Sequence, residues 1–377
     1  MDRVVVRFGE IGSKSAQVRG QMLNVLRQRV EDRLEYEELE YGSVSRISSR
    51  ILVETREAEK AAEIVSQVPG VSSSSPAYET EPSMKSIQSA VKKLEVGNSF
   101  GIDASRAGEH DFDSMDLNRE IGSFVDDRCG AEVDLDDPET WIKIDVREDR
   151  AFVYTQFFEG PDGFPTGSQG EMAAMVSGGI DSPVATYEIM TRGADITPVY
   201  FYNRPIAAED HLMRFKSVLD EIRKFHPGKK WHYYVVDMEE INNELMEIGQ
   251  GRMILHRRLM FRITERIAEK EGLKGIVTGE SLGQKSSQTA VNLKRTTEAV
   301  DLPVHRPLLT RSKSEVTEKA REIGTMKQSN IKSACTTLSP ENPATELKED
   351  QLEELESRFD IEKMVDSAVE NAEKNLL

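Results

Sequence analysis

The chain has 377 residues, 38% hydrophobic and 31% charged, with a formal net charge of −18 and a pI near 5.0. That length exceeds one ordinary core and predicts two or three domains. No apolar run is long enough to span a membrane, MDRVVVRFGE lacks a signal-peptide core, and the acidity excludes nucleic-acid binding by bulk charge, so a cytoplasmic chain with no membrane attachment and at most a local basic face is expected.

In chain order, RVVVRFG (3–9) reads as a strand and residues 16–34 as a helix, through Val18, Met22, Val25, Leu26 and Val30. Val44–Glu54 holds one or two strands, Arg56–Val68 a second helix, and Gly70 leads into a last strand. This βαββαβ order predicts a ferredoxin-like α+β domain over 1–80. A second small unit is expected over 81–160, with a helix at 84–95 and a hairpin of strands at 141–147 and 150–157. EGPDGFPTGSQG (159–170) is a linker or a rigid turn.

From 171 the pattern alternates. Strands are expected at 171–176, 195–202, 232–237 and 274–278, and helices at 183–192, 208–225, 253–271, 287–299 and 312–323. This predicts a doubly wound parallel sheet over 171–377. The tail from 346 carries eleven Asp/Glu against four Lys/Arg and reads as an amphipathic capping helix.

MVSGGIDSPV (175–184) joins the first of these strands to its helix. A Gly-rich turn there points backbone N–H groups inward, and the helix offers its positive end, so the loop suits a phosphate. Ser177 and Ser182 add hydroxyls, and Pro183 suits a first helical turn. A Walker A loop needs a lysine. Here Asp181 stands instead, which makes sense if it holds Mg²⁺ or a metal-bound water beside the phosphates. The two cysteines, Cys129 and Cys335, are too few for a disulfide scaffold or a four-cysteine metal site. A lone cysteine is ordinarily a small buried residue. The six histidines form no HxxxH or HxxE pattern, so no metal-ligand cluster is expected.

SGGIDS resembles the pyrophosphate loop of the PP-loop ATP pyrophosphatases, which split ATP to AMP and pyrophosphate and adenylate a substrate. RFGEIGSKS (7–15), GAEVDLDDPETWIKIDV (130–146), GFPTGSQG (163–170), TGESLGQKSSQTAVNL (278–293) and RPLLTRSK (306–313) resemble, in order, the tRNA 4-thiouridine synthetase family. The resemblance runs from about residue 3 to 345. It implies an α/β protein with ferredoxin-like and THUMP RNA-binding domains before a PP-loop domain. The implied reaction adenylates O4 of uridine 8 in tRNA with ATP and Mg²⁺, then delivers sulfur to C4 from a cysteine persulfide or sulfide.

Residue by residue, the resemblance assigns Asp181 to the loop acid and Ser177, Gly178, Gly179 and Ser182 to the pyrophosphate cradle. Met175, Val176, Tyr200, Phe201, Arg257, Gly279 and Gln288 fall at nucleotide-site positions, and Lys313 at a catalytic lysine. Cys335, in IKSACTTLSP, falls where the family places its sulfur-bearing cysteine. Cys129 reads as structural. Some relatives carry a CxxC before the basic helix, where this chain has Met253-Ile-Leu-His256, so no iron–sulfur cluster is expected. No rhodanese-like text follows, so a thiamine role is not expected and sulfur is supplied as sulfide or by a separate sulfurtransferase or cysteine desulfurase. Family members are often homodimers, the sole reason to expect one here. Local basic surface for tRNA is expected among Arg204, Arg214, Lys216, Arg223, Lys224, Lys229, Lys230, Arg257, Arg258, Arg262, Lys294, Arg295, Arg306 and Arg311, and among Arg3, Arg7, Lys14, Arg19 and Arg106. Two rival readings are another PP-loop adenylating enzyme and a THUMP-type RNA-binding protein with an inactive nucleotide site.

Overall fold

In the computed structural model, which describes residues 1–47, 50–207, 209–328 and 344–377, the run Val4–Val6 forms β1 (Arg3–Arg7) inside the first sheet. α1 (Ala16–Tyr36), β2 (Ser43–Ile47), β3 (Arg50–Glu54), α2 (Ala58–Ser66) and β4 (Ser73–Thr80) follow, and the strands lie in the order β2-β3-β1-β4. This is the expected ferredoxin-like arrangement. Helical spacing puts Met22, Leu23, Leu26, Val30 and Leu34 of α1 on one face, packed with Val4, Val6, Ile51 and Val53.

β4 serves two neighbours. It pairs with β1, and its last residues pair with β8 (Ala151–Tyr154), Tyr78 opposite Val153. The sheet continues through β7 (Thr140–Val146), β5 (Ser99–Arg106) and β6 (Glu132–Val133). α3 (Met84–Val91) and α4 (Ser114–Cys129) bury Ile87, Val91, Leu117, Ile121 and Val125 against it. The hairpin β7–β8 was expected; β5 and α4 were not. Met1–Pro165 is one compact unit.

The stretch after β9 (Phe158–Glu159) is a rigid turn as far as Pro165. β9 pairs with β4, Asp162 accepts from Gly9 N–H at 3.1 Å, Gly70 N–H donates to Asp162 O at 2.8 Å, and Phe164 enters the α1 core. Gly70 has φ +97°, and a Cβ there would meet Pro165 N at 2.9 Å, so glycine is required. The turn thus joins two of the quoted motifs: Gly9 touches Asp162, and Lys14 lies over the Phe164 ring.

The second unit, Thr166–Leu377, is an α/β sheet. β10 (Glu171–Met175), β11 (Asp195–Tyr202), β12 (His232–Asp237), β13 (Ile276–Val277) and β14 (Val304–His305) are parallel, in the order β14-β13-β10-β11-β12. Alternate residues feed two cores. Ala174, Val176 and Tyr200 face one with Val184, Phe215 and Val316; Ala173, Val199 and Phe201 face the other with Leu255, Leu259 and Ile263. The helices are α5 (Asp181–Thr191), α6 (Glu209–Ile222), α7 (Glu239–Leu245), α8 (Arg252–Glu271), α9 (Ala290–Thr297) and α10 (Lys313–Glu322). The strand order reverses at β10, so its carboxyl end opens on the crevice where such sheets bind ligands.

The tail corrects the expectation of one capping helix. It forms α11 (Glu349–Glu356) and α12 (Ile361–Glu370), divided where Asp360 caps α12 by accepting from Lys363 N–H, and then β15 (Glu373–Leu376), antiparallel to β12. No helix among the described residues is long and apolar enough to cross a membrane.

Candidate active site

The glycine loop leaves β10 at Met175 and enters α5 at Asp181. Its two serines close it. Ser177 N–H donates to Ser182 Oγ at 2.8 Å, the two hydroxyls lie 2.9 Å apart, and Gly179 N–H donates to Ser177 Oγ at 3.2 Å. The hydroxyls therefore set the curve of the loop, and the first turn of α5 stands at the sheet's ligand end.

Two further segments close on it. Gly279 follows β13, and a Cβ there would lie 2.7 Å from Ser182 N and 2.8 Å from the Asp181 carbonyl carbon, so only glycine lets this strand end reach the loop. The chain beyond it runs beside the one beyond β14: Thr278 N–H donates to His305 O at 3.0 Å and Leu282 N–H to Leu309 O at 3.1 Å. That pairing delivers Lys313, at the start of α10, to Asp181, with Nζ 2.6 Å from Oδ1. Gln284 Nε2 approaches Oδ2 at 3.4 Å. Ser312 and Glu315 form a capping box that fixes the helix start carrying Lys313.

Arg257, from α8, pairs with Glu280, whose other oxygen accepts from Arg306 Nε at 2.8 Å. Glu280 is 1% exposed. Its part in the site was not expected from the sequence, where the signal was an acid directly after Gly279 in TGE. Gln288 is buried, and its Oε1 has no hydrogen-bond partner among the described residues. Asn292, also unpredicted, is fully buried and fastens the next loop: its amide donates to Ser286 O and Ala344 O, and its Oδ1 accepts from Leu347 N–H.

Val176, Tyr200 and Phe201 are core side chains, and Met175 packs against the α8 core. Tyr200 stacks on Phe215 at 4.4 Å. Their strand ends reach the crevice while their side chains face inward. Cys335 lies outside the described residues. Cys129 departs from the expected buried thiol: it is free and exposed at the end of α4, where its Sγ donates to Val125 O. His256, in place of a thiol, is fully buried in α8 with Nε2 3.2 Å from Asn203 Oδ1. Burial, and then the nearby Arg257 and Arg252, lower its pKa to about 4, so it is neutral at physiological pH.

Much of the expected basic surface is already paired. Arg204 meets Asp237, Lys229 meets Glu171 and Asp195, Arg258 and Arg262 share Glu356, and Arg295 bridges Glu298 and Glu349. Lys216 and Lys230 are exposed.

Residues 167–361 match the family described as Thiamine biosynthesis protein (ThiI), residues 83–156 the THUMP domain, and residues 3–75 the ThiI ferredoxin-like domain. A probable tRNA sulfurtransferase of Halobacterium salinarum is 39% identical over 353 residues, 91% of this chain and 90% of its own. The chain belongs to the ThiI tRNA sulfurtransferase family. A second probable tRNA sulfurtransferase, from Methanosarcina acetivorans, is 34% identical over 380 residues, covering 97% of this chain and 92% of its own. Among solved structures, a 4-thiouridine synthetase–RNA complex with bound ATP superposes with a TM-score of 0.86 at 27% identity, over 100% of both chains. As a ThiI-family sulfurtransferase, the chain has the ferredoxin-like, THUMP and PP-loop α/β parts expected from its motifs.

Proposed function

We propose that this chain transfers sulfur to uridine 8 of tRNA at the expense of ATP, forming 4-thiouridine in the cytoplasm. The observation that carries the reading is the meeting of Lys313 and Asp181 at 2.6 Å over a serine-closed loop at the switch point of the sheet. An acid and a lysine from distant segments, set at a helix N-terminus, suit a polyphosphate. Uracil O4 attacks the α-phosphorus and pyrophosphate leaves. Sulfur then adds at C4, and AMP departs with O4.

Ser177, Gly178, Gly179 and Ser182 would cradle the leaving pyrophosphate, with Gly279 and Gln288 beside the nucleotide. Lys313 would balance charge growing at the α-phosphate. Asp181 fits a divalent cation: its carboxylate is part-exposed, and both its partners, Lys313 and Gln284, are long side chains that can swing away. Mg²⁺ held there would neutralise phosphate charge. Cys335 would carry the sulfur as a persulfide loaded by a separate desulfurase or sulfurtransferase. Its terminal sulfur attacks C4, and an external thiol then reduces the remaining S–S bond. The test is tRNA-dependent AMP formation from ATP with Mg²⁺. Asp181→Asn is expected to abolish it while leaving tRNA binding intact; undiminished AMP formation refutes the assignment.

A further inference from the structure

Among the described residues, Glu280 is the carboxylate that Arg257 pairs with. We infer that Glu280 is a positioning residue for adenylation, holding the Arg257 guanidinium at the nucleotide with Arg306 fixed beside it. This rests on the adenylation reading above.

A carboxylate this buried is costly unless fully paired, and two guanidiniums supply the pairing. The three groups come from three segments: α8, the end of β13 and the end of β14. They meet one residue beyond Gly279, whose backbone abuts Ser182 and Asp181. The cluster is therefore built against the loop. Its formal charge is +1, a fixed cation beside a phosphate loop that has no lysine of its own.

The two arginines are not equally secured. Arg306 also donates to Thr297 Oγ1 at 2.9 Å and lies over the Phe261 ring. The Arg257 Nε is buried without a hydrogen-bond partner among the described residues, so its fork depends on Glu280. Removing the carboxylate charge leaves the positive charge that attracts ATP and frees the geometry of Arg257. The loss then falls on the chemical step more than on ground-state binding.

The test measures tRNA-dependent AMP formation against ATP concentration for the wild type, Glu280→Gln, Glu280→Asp, Arg257→Ala and the double variant Glu280→Gln/Arg257→Ala. Glu280→Gln is expected to lower kcat about 10- to 100-fold, the size of a misplacement effect. Its KM for ATP should stay within about threefold of wild type. Glu280→Asp should recover part of kcat, and the double variant should be no slower than Arg257→Ala. If Glu280→Gln does not fold, Glu280→Asp carries the test: its kcat must fall, and the fall must vanish in the Arg257→Ala background. Losses that multiply in the double variant, or an unchanged kcat, overturn the inference. A silent Arg257→Ala also overturns it, and the adenylation reading is then judged separately by Asp181→Asn.

Discussion

Asp145 and Glu280 are both almost fully buried, and each lies between two arginines. Asp145 sits on β7 with Arg147 beside it and Arg50 of β3 at 3.4 Å, and it also accepts from Ser105 Oγ at 3.0 Å. Its partners come from both halves of the first unit's continuous sheet, so it ties the halves together. Burial above all lowers the Arg50 pKa. Glu280 has the same chemistry at the open end of a parallel sheet, one residue beyond the glycine that abuts the phosphate-type loop. The same grouping therefore serves cohesion when it bridges strands and positioning when it faces a crevice. What it is next to decides.

Asp145→Ala breaks the comparison most strongly. It leaves two part-buried guanidiniums without their acid, so the first unit should lose about 3–5 kcal/mol. Urea unfolding would show this, with ATP binding by the second unit unchanged. Lys313→Ala does the reverse. Its ion pair with Asp181 is half-exposed and contributes within about 1 kcal/mol to stability. AMP formation should nevertheless fall about 10²–10³-fold, as when a preorganised charge stabiliser is removed.

His256 sharpens the contrast through pH. Its folded pKa, about 4, lies below the ordinary 6.5, so the unfolded chain binds more protons between these values. Its contribution is complete above pH 6.5 and is lost as pH falls toward 4. Between pH 7.5 and 5 the wild type should lose about 2 kcal/mol more than His256→Asn, read as the difference in urea midpoints. The smallest effect belongs to Cys129→Ser. The thiol is exposed, so stability should move by less than about 0.5 kcal/mol, and thiolation should not change.

Elements with full periodicity were legible in the chain. α1 shows its apolar face in Met22, Leu26 and Val30, although Val18 is exposed and Leu23 and Leu34 complete the buried stripe, and the alternation of strands and helices after 171 announces the parallel sheet. α4 escaped because its buried stripe is only Leu117, Ile121 and Val125 in an Asp-rich segment. β15 escaped because EKNL has no apolar alternation; backbone pairing with β12 makes it a strand. In the site, motif text located Asp181, Gly279 and Lys313, and the structure brings them together. Glu280 and Asn292 were missed because their roles come from partners far along the chain: Arg257 and Arg306 for one, Ala344 and Leu347 for the other.

The most direct measurement is AMP release with tRNA, Mg·ATP and a cysteine desulfurase supplied with cysteine and a thiol reductant, read together with near-ultraviolet absorption of the recovered tRNA, for the wild type and Cys335→Ser. The account predicts AMP and thiolated tRNA from the wild type, and AMP without thiolated tRNA from the variant. Equal thiolation by both would show that sulfur reaches C4 without Cys335. Absence of AMP from the wild type with any tRNA would contradict adenylation itself and favour an RNA-binding protein with an inactive nucleotide site.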